Sequence, residues 1–523
     1  MKQSILNSNR RRIFSNYLRL FLGLAVGLLV TRLLLDAGKD VFAIYTLVTV
    51  GMGVSVMLTE LLRMGFVPEL GKYVLNGTVE DTDAFRGGLT ASFAISFCSA
   101  LLGALIMAIL AYFMLQHIEP DDLRSAAWIF LWMRIGMMLV IVTLTPIATI
   151  LLISDRQPYF NLLIFLERMA ELVAVSLPLI FISNIVFPQE DYLILIGFIV
   201  CALTALTHVS AAILTLKLDA NFLPKAVLPT RSSIWKILNS LGWSSLQTVS
   251  MNLYARGDIL IASAFLGTTG IAALGIALRL MGYVRQGTTG LINGLDATFA
   301  NLQGKRRRST GTDLADDSGR KIISISSALQ ASVIFPTAAI MILTGPEIIK
   351  LWIGDALSNS SNGSSAQDVA QLSSLMVIGV GIRSLTLGWM SAMTGSGIAR
   401  YFTPWLVPGA IINILFLVGW AYTSPESFSI LVVGWAFLIL QAITHGLFLP
   451  AVTSRALNIS LGQLFIPFLV PAVFTVSALS LFLLWKNVSV DPTDTVRVLV
   501  AFLLFSSASL ASLLFSLTRG YDQ

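Results

Sequence analysis

The chain has 523 residues, of which 56% are hydrophobic and only 12% are charged, and its mean hydropathy is +0.82. Soluble globular proteins carry about 25% charged residues, so this composition excludes a soluble enzyme or a soluble binding module. The formal net charge of +6 fits the basic cytoplasmic loops of a membrane protein and does not indicate a nucleic-acid partner.

Long apolar segments of roughly 18–28 residues recur along the whole chain, and each could cross a ~30 Å hydrocarbon core as a helix. A barrel of alternating strands of ~10 residues does not fit such continuous runs. The sequence therefore predicts an all-α integral membrane protein of about fourteen transmembrane helices. In chain order the predicted helices span 13–35, 41–63, 87–113, 126–153, 159–186, 192–216, 236–263, 271–301, 322–343, 370–393, 404–423, 429–452, 463–485 and 495–517.

The distribution of basic residues predicts the orientation of these helices. If the N-terminus is placed inside, 21 of the lysines and arginines fall in inner loops and tails and 5 fall in outer loops. Cytoplasmic loops of membrane proteins carry such an excess of basic residues. We therefore expect a multi-pass protein with both termini in the cytoplasm.

A weak internal repeat suggests that the helices form two related halves. Residues 33–45 join the first two predicted helices and resemble residues 264–277, with Leu35 and Leu266 in equivalent positions. Secondary transporters are often built from such repeats. The sequence predicts four regions, which are an N-terminal lobe at 1–217, a cytoplasmic linker at 218–235, a C-terminal lobe at 236–453 and two additional helices at 454–523.

Arginines within the predicted helices form the main group of candidate functional residues. A charged group at membrane depth costs roughly 2.5–3.5 kcal/mol on insertion scales, so it is expected to face a cavity or a partner. Arginine stays charged and its planar fork suits phosphate or carboxylate. The candidates for a cationic substrate-binding cavity are Arg32, Arg134, Arg256, Arg279, Arg285 and Arg383.

Acidic residues at the same depth are fewer. The candidates for ion coupling or for structural pairing are the acids Glu167, Glu171 and Asp258, together with Arg168. The spacing of Arg168 and Glu171 allows an ion pair on one helix face. The arginines outnumber these acids, which indicates an anionic substrate. No catalytic constellation, metal-ligand spacing, nucleotide-binding P-loop or cofactor motif is recognisable, so we expect a transporter and not an enzyme.

Three segments carry a resemblance to a known superfamily. They are RRIFSNYLRLFLGLAVGLLVTRLLLDAGKDVFAIYTL at 11–47, NLYARGDILIASAFLGTTGIAALGIALRL at 252–280 and GPEIIKLWIG at 345–354. This sequence resembles the multidrug/oligosaccharidyl-lipid/polysaccharide (MOP) exporter superfamily, and within it the Wzx-type flippases of polysaccharide biosynthesis. It departs from that pattern after the first helix, where Leu35-Asp36 replaces Leu-Gly, and at Ala43, where glycine is usual.

The resemblance implies two six-helix lobes around a central cavity, followed by two C-terminal helices. It also implies a flippase that moves an undecaprenyl-diphosphate-linked oligosaccharide from the inner to the outer leaflet by alternating access. The implied product is a lipopolysaccharide O-antigen, capsule or exopolysaccharide, and the implied location is the bacterial cytoplasmic (inner) membrane. The implied partners are the lipid-linked oligosaccharide, membrane lipids, a polysaccharide polymerase and other assembly proteins. The alternative is a multidrug and toxin extrusion (MATE) antiporter of organic cations, which the acids Glu167 and Glu171 would suit.

Overall fold

The structure of the chain is a computed structural model, and it forms two compact units, residues 1–272 and 273–523. The described residues are 2–75, 78–79, 81–154, 156–181, 188–218, 229–292, 295, 299, 317–354, 365–396, 398–489 and 492–522.

The first unit is almost entirely helical. Its α-helices are α1 (Lys2–Ala37), α2 (Lys39–Thr46), α3 (Val54–Gly71), α4 (Thr82–Met114), α5 (Asp121–Thr143), α6 (Thr145–Ile153), α7 (Gln157–Phe181), α8 (Gln189–Leu218), α9 (Arg231–Phe265) and the start of α10 (Gly267–Ile292). A π-helix follows α2 at Leu47–Gly51, and a 3-10 turn follows α4 at Leu115–His117. Between α3 and α4 lies a small antiparallel pair, β1 (Val74–Leu75) and β2 (Thr78–Val79), in which Val74 pairs with Val79.

The second unit contains the rest of α10 and the C-terminal helices. These are α11 (Asp317–Ile353), α12 (Ala366–Leu385), α13 (Leu387–Gly395), α14 (Thr403–Thr423), α15 (Ile430–Gln441), α16 (Leu449–Leu457), α17 (Leu461–Phe465), α18 (Leu469–Val488) and α19 (Asp494–Asp522). A π-helix at Ala442–Phe448 links α15 to α16, and 3-10 turns occupy Ala399–Tyr401, Pro425–Ser427 and Ile466–Phe468.

The predicted fold class is confirmed. Twelve segments of the described chain are long and apolar enough to cross a membrane, so this is a multi-pass membrane protein. The remaining two predicted helices are present as α7 and α9, which fall outside that set because both are more polar. Helix α7 carries Glu167, Arg168 and Glu171 within two turns, and α9 carries Arg256 and Asp258.

Polar side chains at the helix starts show why several helices begin where they do. The carboxylate of Asp81 accepts the backbone N–H of Ala84 and caps α4, and Thr230 accepts the N–H of Ser233 and caps α9. Ser365 forms a capping box with Asp368 at the start of α12. Each cap satisfies an N–H group that the helix itself leaves without an acceptor.

In the first unit α1 packs on α7, α5 on α8, and α3 on α9. Glycines permit the close approach of these helices. A Cβ atom at Gly65 of α3 would lie 2.7 Å from Leu241 Cδ2 of α9, and one at Gly197 of α8 would lie 2.5 Å from Phe130 of α5. Small residues at such contacts are typical of membrane helices, where packing contributes more to association than water exclusion does.

In the second unit α11 is the central helix, because it packs against both α12 and α19. Phe482 of α18 and Phe505 of α19 are buried in a cluster that includes Leu343 of α11. The ammonium group of Lys350 lies 2.9 Å from the carboxylate of Asp494, which joins the end of α11 to the start of α19. The two C-terminal helices are therefore packed into the second unit.

Candidate functional site

Helix α7 carries the first group of polar residues, which is centred on Glu171. Arg168 Nη1 lies 3.0 Å from Glu171 Oε2, and Tyr45 Oη donates to Glu171 Oε1 at 2.7 Å. Tyr45 is fully buried in α2 and stacks on Phe130 with ring centroids 5.6 Å apart. Both oxygens of Glu171 are thus bound, while half of the Arg168 side chain is exposed. Glu171 itself is largely buried, with 14% of its side chain exposed.

A second pair lies one turn earlier on the same helix. His208 Nε2 of α8 is 2.7 Å from Glu167 Oε1 of α7. The imidazole of His208 is buried, while Glu167 is one-third exposed. Glu167 is predictable from the sequence as an acid at membrane depth, but its pairing with His208 is not, because the two residues are 41 positions apart. The sequence shows only that His208 lies within a largely apolar run, which does not identify its partner.

Arg256 of α9 contacts the polypeptide backbone. Its Nη1 donates to the carbonyl of Val50 at 3.3 Å, and it also contacts the carbonyl of Gly53. These carbonyls flank the break between the π-helix at Leu47–Gly51 and α3, where the regular helical donors are missing. Arg256 therefore stabilises an interrupted membrane helix. Asp258, two residues further along α9, is fully buried.

The other two arginines of the first unit differ in exposure. Arg32 of α1 is 3.1 Å from Asp36 one turn away, and both side chains are more than 40% exposed. Arg134 of α5 is half-buried, and its Nη1 lies 3.6 Å from the sulfur of Met137. No carboxylate of the described chain lies within ion-pair distance of Arg134. Its guanidinium is therefore available to an anion.

In the second unit, Arg279 and Arg285 are half-buried on α10, and Arg383 is buried on α12. Just after Arg383 the helix breaks at Thr386, whose hydroxyl lies 3.0 Å from His445 Nδ1. His445 belongs to the π-helix at Ala442–Phe448 and is fully buried. The break after α12 thus meets the π-helix that follows α15. His445 was not predicted as a site residue, because the contact with Thr386 joins two helices that are 59 positions apart in sequence.

The six candidate arginines are therefore divided equally between the two compact units. Arg32, Arg134 and Arg256 belong to the first unit, and Arg279, Arg285 and Arg383 belong to the second. The first unit also brings together Tyr45, Arg168 and Glu171 in one group and Glu167 with His208 in another. In the first unit, Arg32 thus contacts Asp36 and Arg256 contacts backbone carbonyls, while the α7 acids contact Arg168, Tyr45 and His208.

No protein-family model and no curated protein matches the sequence. Solved structures do match the fold. The lipid II flippase MurJ in an inward closed conformation aligns with a TM-score of 0.65 at 10% identity, over 95% of this chain and 97% of that one. An inward-facing multidrug resistance MATE transporter aligns with a TM-score of 0.58 at 14% identity, over 90% of this chain and 96% of that one.

A third similar structure is a MOP superfamily transporter from Pyrococcus furiosus. It aligns with a TM-score of 0.57 at 15% identity, over 89% of this chain and 96% of that one, and its binding pocket has reversed polarity. All three of these proteins are transporters. Identities this low show the fold alone. The chain therefore has the fold of MOP superfamily transporters, which confirms the fold that the resemblance implied.

Proposed function

We propose that this protein is a transporter that flips an anionic, undecaprenyl-diphosphate-linked oligosaccharide from the inner to the outer leaflet. The product would enter cell-surface polysaccharide assembly, as O-antigen, capsule or exopolysaccharide. The proposed location is the bacterial inner membrane with both termini in the cytoplasm. Partner proteins would be a polysaccharide polymerase and other assembly proteins.

The observation that carries this proposal is the charge balance at membrane depth. Glu171 is bound by Arg168 and Tyr45, and Glu167 is bound by His208, so these acids are engaged locally. Within the described chain, the guanidinium of Arg134 forms no ion pair, and its hydrogen-bond contact is with the sulfur of Met137. A cation held at membrane depth is costly unless an anion neutralises it. A diphosphate supplies that charge and offers several acceptor oxygens to the arginine fork.

The fold supports a gradient-driven or diffusive mechanism of alternating access. The chain has no nucleotide-binding motif of its own. We propose that the lobes at 1–217 and 236–453 expose a central cavity to each side in turn, with Arg134, Arg285 and Arg383 nearest to mid-depth. Arg32 and Arg256 contribute less to substrate binding in this proposal, because Asp36 and backbone carbonyls already hold them.

A second candidate function is a MATE-type antiporter of organic cations. The α7 group favours it, because Glu167 and Glu171 are carboxylates at membrane depth beside a histidine, a tyrosine and an arginine. Release of Arg168 from Glu171 would uncover an acid for a cation. In the flippase, the same group could instead serve ion coupling, together with Asp258 on α9.

The test is a flipping assay with the purified full chain in liposomes. The probe is a fluorescent undecaprenyl-diphosphate oligosaccharide, and a membrane-impermeant quencher reports its transfer between leaflets. We expect Arg134→Gln and Arg285→Gln each to reduce the rate about tenfold, which corresponds to about 1.4 kcal/mol from one charge-assisted contact. The matched control is Arg32→Gln, which removes an exposed arginine already paired with Asp36 and should change the rate less than about twofold.

Two results would overturn the flippase. One is an absence of probe transfer by the intact chain. The other is equal rates for Arg134→Gln, Arg32→Gln and the unaltered protein. If the liposomes instead accumulate an organic cation such as ethidium, and Glu171→Gln abolishes that uptake, the antiporter is the correct function.

A further inference from the structure

Arg383 lies in the last turn of α12, at a buried polar junction of the second unit. Its side chain is 7% exposed, and the helix ends two residues later at Leu385. A carbonyl in the last turn of a helix has no intrahelical donor. The carbonyl of Arg383 instead accepts the backbone N–H of Thr386 at 3.1 Å and its hydroxyl at 2.8 Å. Thr386 therefore closes the turn that carries Arg383.

The hydroxyl of Thr386 also determines the tautomer of His445. A hydroxyl has one proton to donate, and Thr386 donates it to the carbonyl of Arg383. At the 3.0 Å contact with Thr386, His445 Nδ1 is therefore the donor. A chain of hydrogen bonds thus runs from His445 through Thr386 to the backbone of Arg383. Because both side chains are buried, bulk water does not compete for these bonds.

Ser384 connects the same turn to α10. Its Oγ lies 3.2 Å from Thr288 Oγ1, and both side chains are fully buried. The hydroxyl of Thr288 is also 3.0 Å from the carbonyl of Arg285 on α10. The end of α12 is therefore held on two sides, by α10 and by the π-helix that contains His445.

Polar groups without partners accompany His445. Its Nε2 and both amide atoms of Gln441, one turn earlier, are buried and have no hydrogen-bond partner in the described part of the chain. A Cβ atom at Gly379 of α12 would lie 3.5 Å from Gln441 Cγ, so Gln441 packs against α12 one turn before Arg383. Unpaired polar groups in a buried position cost free energy that apolar residues would avoid. Packing alone therefore does not account for a histidine at this position, whereas the bond to Thr386 does.

We propose that His445 is a positioning residue of the substrate site, which acts through Thr386 to hold the last turn of α12 and thereby the guanidinium of Arg383. The inference rests on the proposed flippase function, because Arg383 is one of the arginines assigned there to the diphosphate. His445 itself does not touch the substrate. Its contribution is to fix the backbone from which the arginine fork extends.

The test measures flipping by the purified full chain in liposomes with graded mole fractions of the fluorescent undecaprenyl-diphosphate oligosaccharide. The rates give a half-saturating mole fraction and a maximal rate. We expect His445→Gln and Thr386→Val each to raise the half-saturating mole fraction about tenfold, the usual effect of one charge-assisted contact, and to change the maximal rate less than about twofold.

Conservative variants distinguish the hydrogen bond from the volume of the side chain. His445→Asn keeps an N–H donor near the position of Nδ1, whereas His445→Gln places its amide near the position of Nε2. Thr386→Ser keeps the hydroxyl. His445→Asn and Thr386→Ser should therefore restore the half-saturating mole fraction of the unaltered chain. The matched control is Thr444→Val, which removes a buried hydroxyl from the same π-helix that bonds to the carbonyl of Leu440, and it should change neither quantity.

A combination with Arg383→Gln separates positioning from a general effect on the fold. In that background neither His445→Gln nor Thr386→Val should raise the half-saturating mole fraction further, because the guanidinium that they position is gone. Unfolding midpoints in detergent identify any variant that loses the fold. If Thr386→Val does not fold, the comparison of His445→Asn with His445→Gln decides the question.

Three results overturn the inference while the flippase stands. They are equal impairment of His445→Asn and His445→Gln, losses that multiply with that of Arg383→Gln, and a fall in the maximal rate alone. The last would place His445 in the conformational cycle and not in substrate binding. If the unaltered chain transfers no probe, the proposed flippase is itself wrong and the inference falls with it.

Discussion

Lys39 Nζ donates to Thr269 Oγ1 at 2.9 Å, so the turn between α1 and α2 meets the turn between α9 and α10. These are the two segments that the internal repeat relates, with Leu35 equivalent to Leu266. The contact lies at the predicted outer ends of the helices, within the first compact unit. Equivalent joints of the two predicted halves are therefore neighbours.

This contact predicts the effect of a covalent link. In the proposed transport cycle the joints would separate when the protein opens to the outside. A Lys39→Cys, Thr269→Cys double variant treated with a short bifunctional thiol reagent should then lose transport. A bridging reagent is needed because a lysine side chain spans the gap, and two cysteines would lie too far apart for a disulfide. Because Cys98 and Cys201 are free thiols, they should first be replaced by serine and alanine.

Transport in liposomes measures the outcome, and a reductant that cleaves the linker should restore it. Each single cysteine variant, treated in the same way, controls for modification alone. Full transport by the linked protein would show that the two joints stay together throughout the cycle.

The hydrogen bond between Tyr45 and Glu171 predicts a second result. Tyr45→Phe keeps the stacked ring against Phe130 but removes the donor to Glu171 Oε1. We expect a loss of about 1.5–3 kcal/mol in unfolding free energy, because the acceptor is charged. A thermal unfolding series in detergent, run as a double-mutant cycle with Glu171→Gln, measures the coupling between the two side chains. Additive losses would mean that the two groups do not stabilise each other.

The sequence predicted the order of the membrane helices because each one is a long apolar run, and helix length is set by membrane thickness. It did not predict the interruptions. The break after Gly51 contains no proline, and it depends on tertiary contacts: a Cβ at Gly51 would lie 2.6 Å from Ile259, and Arg256 holds the freed carbonyls. Such contacts join residues about 200 positions apart, which a local pattern cannot show.

Part of the candidate site was also predictable from the sequence. Residue type and depth selected the arginines and the α7 acids, since charge within an apolar run is visible directly. The partners Tyr45 and His208 were not visible, because each lies on a different helix from the acid that it contacts.

Arg256 provides a third prediction, which separates a structural role from substrate binding. Arg256→Gln should lower the thermal unfolding midpoint, because the carbonyls of Val50 and Gly53 lose a charged donor worth about 1.5–3 kcal/mol. Arg256→Lys should recover only part of the lost stability, since an ammonium group cannot reproduce the planar fork of the guanidinium. The measurement is unfolding in detergent together with transport in liposomes. Reduced transport at an unchanged midpoint would instead indicate that Arg256 binds the substrate.

The last prediction concerns the packing of α12 against α15 in the second unit. A Cβ atom at Gly379 would lie 2.7 Å from the ring of Phe437, which is closer than carbon atoms approach in folded proteins. Gly379→Ala should therefore force the two helices apart and lower the free energy of unfolding by about 1–3 kcal/mol.

Gly419→Ala on α14 is the matched control, because a Cβ there would meet no atom within 4 Å. Replacing a helical glycine without a clash should leave stability unchanged or raise it by up to about 1 kcal/mol. The measurement compares the unfolding midpoints of the two variants in the same detergent, and we expect the midpoint of Gly379→Ala to be the lower one. Equal midpoints would show that Phe437 moves aside and that the close contact does not limit the distance between the helices.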